Sequence, residues 1–118
     1  MIKVRSKIWL DNDGKAFGEG PHQLLRRVEK TKSLHEASRQ MNMSYSKAWK
    51  LVQQIEKRLG FVFLDKKVGG LSGGGSYVTN EGKEFLRRYE RFESDARKII
   101  DKTYKRHFSS PSKKSREH

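Results

Sequence analysis

The chain has 118 residues, Lys+Arg 27 against Asp+Glu 14 for a net charge of +13, and only 33% hydrophobic residues. One domain of that size buries roughly two-thirds of its unfolded surface, and a charge so far from neutral points to a polyanionic partner through counterion release. A cysteine count of 0 excludes disulfides, thiolate metal sites and cysteine catalysis, and no signal-like or membrane-length apolar run is present, so a cytoplasmic, nucleoid-associated protein is expected.

Ile2, Val4, Ile8 and Leu10 alternate with Lys3, Arg5 and Lys7, and Asp11-Asn12-Asp13-Gly14 supplies turn chemistry before KAFGEG. The pattern predicts a β-hairpin with KAFGEG as its return strand. An isolated hairpin is marginal, so it must pack on the body or on a second subunit. Pro21 suits the first turn of a helix with Leu24, Leu25 and Val28 inward, running to about Lys32. Ser33 and Glu36 form a capping box for a short helix, LHEASRQM. Asn42-Met43 breaks that helix, Ser44 caps the next, and Ala48, Leu51, Val52, Ile55 and Leu59 give it an apolar stripe that Gly60 closes.

Phe61 to Lys67 reads as a strand, residues 69–76 as a loop, and Tyr77-Val78-Thr79 as the return strand. Thr79 then caps a long helix from about Asn80 to His107. Its Phe85, Tyr89, Phe92, Ala96, Ile99 and Thr103 step by 4, 3, 4, 3 and 4, the spacing of a helix seam. SSPSKKSREH, residues 109–118, reads as a disordered basic tail. The fold class expected is mainly α with small β. It is a winged helix-turn-helix over residues 1–108, with an N-terminal β-hairpin and a long C-terminal helix.

In that arrangement the third helix, residues 45–59, is the one to enter a major groove. Its polar face offers Tyr45, Ser46, Lys47, Lys50, Gln53, Gln54 and Lys57 to bases or phosphates. Ser44 brings the amide-rich helix N-terminus to a phosphate. Trp49 has two readings, a base contact or a half-buried scaffold aromatic. The stretch GGLSGGGS at 69–76 also has two readings. A nucleotide-phosphate loop would end in Gly-Lys-Ser/Thr at a helix, but here Gly75-Ser76-Tyr77 leads into a strand. A bare wing tip fits better: Gly73 and Gly74 bring amides close to a DNA backbone or minor groove, and Lys66 and Lys67 add charge at its base.

SYSKAW at 44–49 and GGLSGGGSYVTNEG at 69–82 resemble the DNA-binding domain of the ModE family of molybdate-responsive regulators, itself similar to LysR-type winged helix-turn-helix domains. Ser44, Tyr45, Ala48 and Trp49 match that family's helix motif, with the middle pair inverted as Ser46-Lys47. Gly69, Gly70, Gly73, Gly74 and Gly75 match its wing, with Ser72 for a glycine and Val68 for a threonine, and Thr79 and Gly82 match the following cap. The resemblance covers most of residues 1–105 and implies a homodimer reading two DNA half-sites. The family's molybdate-binding domains would follow the long helix, where this chain has its short tail, so molybdate is not expected as a ligand.

The function expected is thus sequence-specific binding of double-stranded DNA in transcription regulation. The alternative is a sequence-neutral architectural or RNA-binding protein, which +13 would equally serve. His22, His35, His107 and His118 are scattered and no paired carboxylates stand at a recognisable spacing. No enzyme activity, metal or cofactor is expected.

Overall fold

The computed structural model describes residues 2–67 and 75–108, without the side chains of Lys66 and Lys67. The expectations for the wing tip and for the tail beyond Phe108 fall outside the described residues. In chain order come β1 (Leu10–Asp11), β2 (Lys15–Phe17), α1 (Glu19–Thr31), α2 (Leu34–Gln40), α3 (Tyr45–Leu59), β3 (Leu64–Lys67), β4 (Gly75–Val78) and α4 (Asn80–Phe108). β1 pairs antiparallel with β2, and β3 with β4. This is the mainly helical winged arrangement the sequence implies. Among the described residues no helix is long and apolar enough to cross a membrane.

The N-terminal hairpin is much shorter than expected. β1 and β2 meet only at Leu10↔Phe17 and Asp11↔Lys15. The return arm stops because Gly18 is already the cap of α1, which leaves residues 2–9 no strand to pair with. Instead they lie along α4, where the Tyr89 hydroxyl donates to the Ile8 carbonyl at 2.8 Å and the Tyr104 hydroxyl to the Ile2 carbonyl at 2.9 Å. The strand expected from Phe61 likewise begins only at Leu64. The amides of Phe63 and Leu64 donate to the Glu56 carboxylate at 2.7 and 3.1 Å, so a helix side chain takes these two donors where the strand begins. Its partner runs Gly75–Val78, in the register Leu64↔Val78, Asp65↔Tyr77, Lys66↔Ser76 and Lys67↔Gly75.

Short-range capping chemistry sets the helix ends. The Ser33 hydroxyl accepts from the Glu36 amide at 2.9 Å. Only half of the capping box forms: the Ser33 amide donates to the Thr31 hydroxyl at 3.2 Å, and the Glu36 carboxylate pairs with Arg39 at 2.5 Å instead of reaching back. Met41 and Asn42 make the tight turn between α2 and α3, with Asn42 at φ 55, a left-handed backbone that asparagine tolerates well. Gly60 ends α3 at φ 84.

The core joins the three-helix body to the wing through rings. Phe17 stacks on Phe63 at 5.8 Å and meets Phe85 and Tyr89 edge-on at 4.9 Å, with Leu24, Leu25, Val28, Leu34, Ala37 and Val52 buried around them. The seam expected on α4 divides. Tyr89 is buried and Phe85 half-buried, but Phe92 and Ile99 are 50% and 67% exposed. The periodic stepping missed Leu86, which is fully buried. The first turns of α4 sit in a globular core, which takes a broader stripe than a two-helix seam. A polar clamp fixes the angle of α4 on α1. Arg26 grips Glu90 with two bonds of 2.7 Å, and His22 meets the same carboxylate at 2.5 Å. The Arg26 guanidinium, helped by His22 and opposed by partial burial, holds the Glu90 carboxyl down at about 2.

Candidate nucleic-acid interface

α3 presents two opposite faces, and each follows from its residue order. Ala48, Val52 and Ile55 turn into the core, while Ser46, Lys50, Gln53 and Lys57 recur at helical spacing on the exposed side, flanked by Lys47 and Gln54. The Ser44 hydroxyl caps the helix by accepting from the Lys47 amide at 3.1 Å, and Ser46 and Lys47 of the first turn are exposed. Tyr45 is 38% exposed at that end, its ring stacked on His35 of α2 at 5.4 Å. Trp49 is half-buried and packs against the core.

The only carboxylate on α3 is Glu56, and its position explains both its burial and its use. An acid in the final turns of a helix faces the negative end of the helix dipole. Glu56 escapes that penalty by receiving the Phe63 and Leu64 amides, which aims the start of the wing. Every exposed charge on this helix is consequently positive.

Two further anchors hold the surface in place. At the C-terminal end of α3, Arg58 donates to the carbonyls of Asn12 and Asp13, while Asn12 Nδ2 donates to the Arg58 carbonyl at 2.7 Å. Gly14, at φ +120, makes this possible, because a Cβ there would lie 2.6 Å from the guanidinium. The hairpin therefore packs on this chain's own α3. On the wing, the Ser76 amide donates to the Lys32 carbonyl at 3.1 Å, tying β4 to the end of α1.

Of the residues expected to touch DNA, Ser44, Tyr45, Ser46, Lys47, Lys50 and Gln53 are exposed at the N-terminal end and along one side of α3, whereas Trp49 packs half-buried against the core. Lys66 and Lys67 lie in β3 by their backbone, paired with Ser76 and Gly75. Gly73 and Gly74 lie outside the described residues. Sequence reasoning passed over His35, Glu56 and Arg58. A carboxylate in the last turns of a helix was the available signal for Glu56; nothing local marks the partners of the other two. Among the described residues no group of three His, Cys, Asp or Glu could hold a metal ion.

Comparison with known proteins bears on this surface. The family described as bacterial regulatory helix-turn-helix protein, lysR family, matches residues 22–83. The chain is 29% identical over 91 residues to the molybdenum-pterin-binding protein MopB of Rhodobacter capsulatus, covering 77% of this chain and 34% of that one. It is 24% identical over 102 residues to the molybdenum transport protein ModE of Azotobacter vinelandii, covering 86% and 38%. With the DNA-binding transcriptional dual regulator ModE of Escherichia coli K12 it shares 22% over 78 residues, covering 66% and 30%. The chain thus spans about a third of the length of these relatives. In structure it is similar to the crystallised CbnR DBD–DNA complex, with a TM-score of 0.57 at 19% identity, over 75% of this chain and 97% of that one. At that identity the likeness establishes the fold.

Proposed function

The chain belongs to the lysR family of bacterial regulatory helix-turn-helix proteins, and from that premise we propose a sequence-specific, DNA-binding transcriptional regulator that works as a homodimer. α3 enters the major groove, with Ser44, Tyr45, Ser46 and Lys50 at base edges or the nearest phosphates and Lys47, Gln53 and Lys57 along the backbone. The glycine-rich wing lies on the backbone or in the minor groove. The observation that carries this reading is the sorting of charge on α3. Its lysines and glutamines are exposed, and its one carboxylate is turned away into the wing's own amides.

Dimerisation is supported by the apolar side chains left open on α4 beyond the core, Phe92, Ile99 and Phe108 at 50%, 67% and 66% exposure. A two-fold axis then sets two recognition helices about one turn of duplex apart, ~34–36 Å. Selection of bound sequences from a random duplex pool by the purified protein tests the proposal. The expected product is a symmetric pair of half-sites at that spacing. Equal affinity for selected and random duplexes would overturn it in favour of a sequence-neutral architectural role, and a monomer at micromolar concentration would overturn the dimer.

A further inference from the structure

Residues 2–9 form neither helix nor strand, yet they are held in place. Tyr104, Arg97 and Tyr89 of α4 donate to the carbonyls of Ile2, Ser6 and Ile8 at 2.9, 3.2 and 2.8 Å. From Tyr89 to Tyr104 the helix rises ~22 Å, and six residues reach at most ~20–22 Å, so the segment must be almost fully extended and antiparallel to α4. An extended chain alternates its faces. From Arg5 on the alternation is clear, with Ser6, Ile8 and Leu10 half-buried and Arg5, Lys7 and Trp9 exposed; nearer the terminus Ile2, Lys3 and Val4 are all exposed. The segment is anchored through its backbone, which leaves its cations available.

Those cations are uncompensated. Residues 1–10 contain no acid, and among the described residues Lys3, Arg5, Lys7 and Lys15 take part in no ion pair. Among those residues Glu19 is the one carboxylate lining the grooves beside them. The strip also runs into α3. A groove of about 850 Å³ is lined by Lys7, Trp9 and Lys15 on one side and by Leu51 and Gln54 on the other. The Lys15 ammonium sits 5.1 Å from the Trp9 ring centre, closing the junction. Alternate residues of an extended strand are ~6.6 Å apart, about two base-pair steps of ~3.4 Å along the duplex axis.

We propose that the N-terminal strap is a second phosphate-binding surface, taking the backbone of duplex DNA that flanks the segment read by α3. It rests on the DNA-reading role of α3, carries no sequence preference, and spans ~22 Å, about 7 base pairs.

The test compares a core duplex with one extended by ten base pairs of arbitrary sequence on each side. The wild-type chain binds the longer duplex more tightly and with a steeper salt dependence. The triple variant Lys3→Gln, Arg5→Gln, Lys7→Gln loses that advantage, and its log–log salt slope on the longer duplex falls by ~2–3, near 0.9 for each phosphate no longer neutralised. Protection of Lys3 and Lys7 from acetylation by the longer duplex alone is the mutation-free readout. Lys50→Ala instead weakens binding on both duplexes, so failure of α3 to read DNA shows there and failure of the strap shows only in the length dependence. An unchanged slope in the triple variant overturns the proposal. So does an altered sedimentation coefficient of the free variant, which would place the strap between subunits.

Discussion

Gly82 in the first turn of α4 is where a single methyl group should do most harm. A Cβ there would lie 2.8 Å from Phe63 Cδ1, 3.0 Å from Val78 Cγ1 and 3.2 Å from Thr79 Oγ1. None of the three can easily give way. Phe63 is fully buried and stacked on Phe17, and Val78 is in the ladder opposite Leu64. The Thr79 hydroxyl accepts from the Gly82 amide at 3.0 Å while donating to Val62 at 2.6 Å. In an open helix Gly→Ala would stabilise by ~1 kcal/mol. Overpacking of this kind costs ~1–3 kcal/mol, and disturbing the cap adds up to ~1 kcal/mol. Gly82→Ala should therefore destabilise by a net ~1–2 kcal/mol. Urea unfolding of the variant beside the wild type measures the change. If Gly82→Ala matched or exceeded the wild type, the close packing of α4 on the wing would be wrong.

Lys50→Ala should weaken binding to a selected duplex by ~1–3 kcal/mol and relax preference at one position if the ammonium reaches a base, both measurable by titration against single-base variants. Glu56→Gln removes the charge that the Phe63 and Leu64 amides share and should cost ~1–2 kcal/mol in denaturant; a neutral outcome would mean the wing start is oriented by packing alone. The Glu90 carboxyl is held below its ordinary value, so its contribution is complete above about pH 4.5 and is lost as pH falls toward about 2. With the side chain 35% exposed, that contribution is ~1 kcal/mol after allowance for solvent screening. Stability measured across that window should fall in the wild type and fall less in Arg26→Ala.

Local chemistry wrote most of the scaffold into the sequence. Ser33, Ser44 and Thr79 each cap the helix expected of them, and Gly60 ends α3, because these choices depend on atoms three or four residues apart. The exposed face of α3 was legible for the same reason, since a period of 3.6 sorts Ser46, Lys50, Gln53 and Lys57 from Ala48, Val52 and Ile55. Alternation over residues 2–10 was equally visible, but alternation states only that a segment is extended. Whether it becomes a strand depends on a partner, and Gly18 ends the return arm too early to provide one.

What the linear chain left open are pairings between residues far apart in it. Arg58 could have met any carboxylate or carbonyl, and only the folded backbone brings the Asn12–Gly14 turn to it. Arg26 and His22 find Glu90 more than sixty positions away, and Tyr89, Arg97 and Tyr104 find a strand-like segment with no sheet to join. Periodicity encodes which side of an element is apolar, a property of neighbours on that element. Which other element covers that side, and where α4 passes from core to open surface, is decided by the closing of the whole chain around Phe17, Phe63 and Leu86.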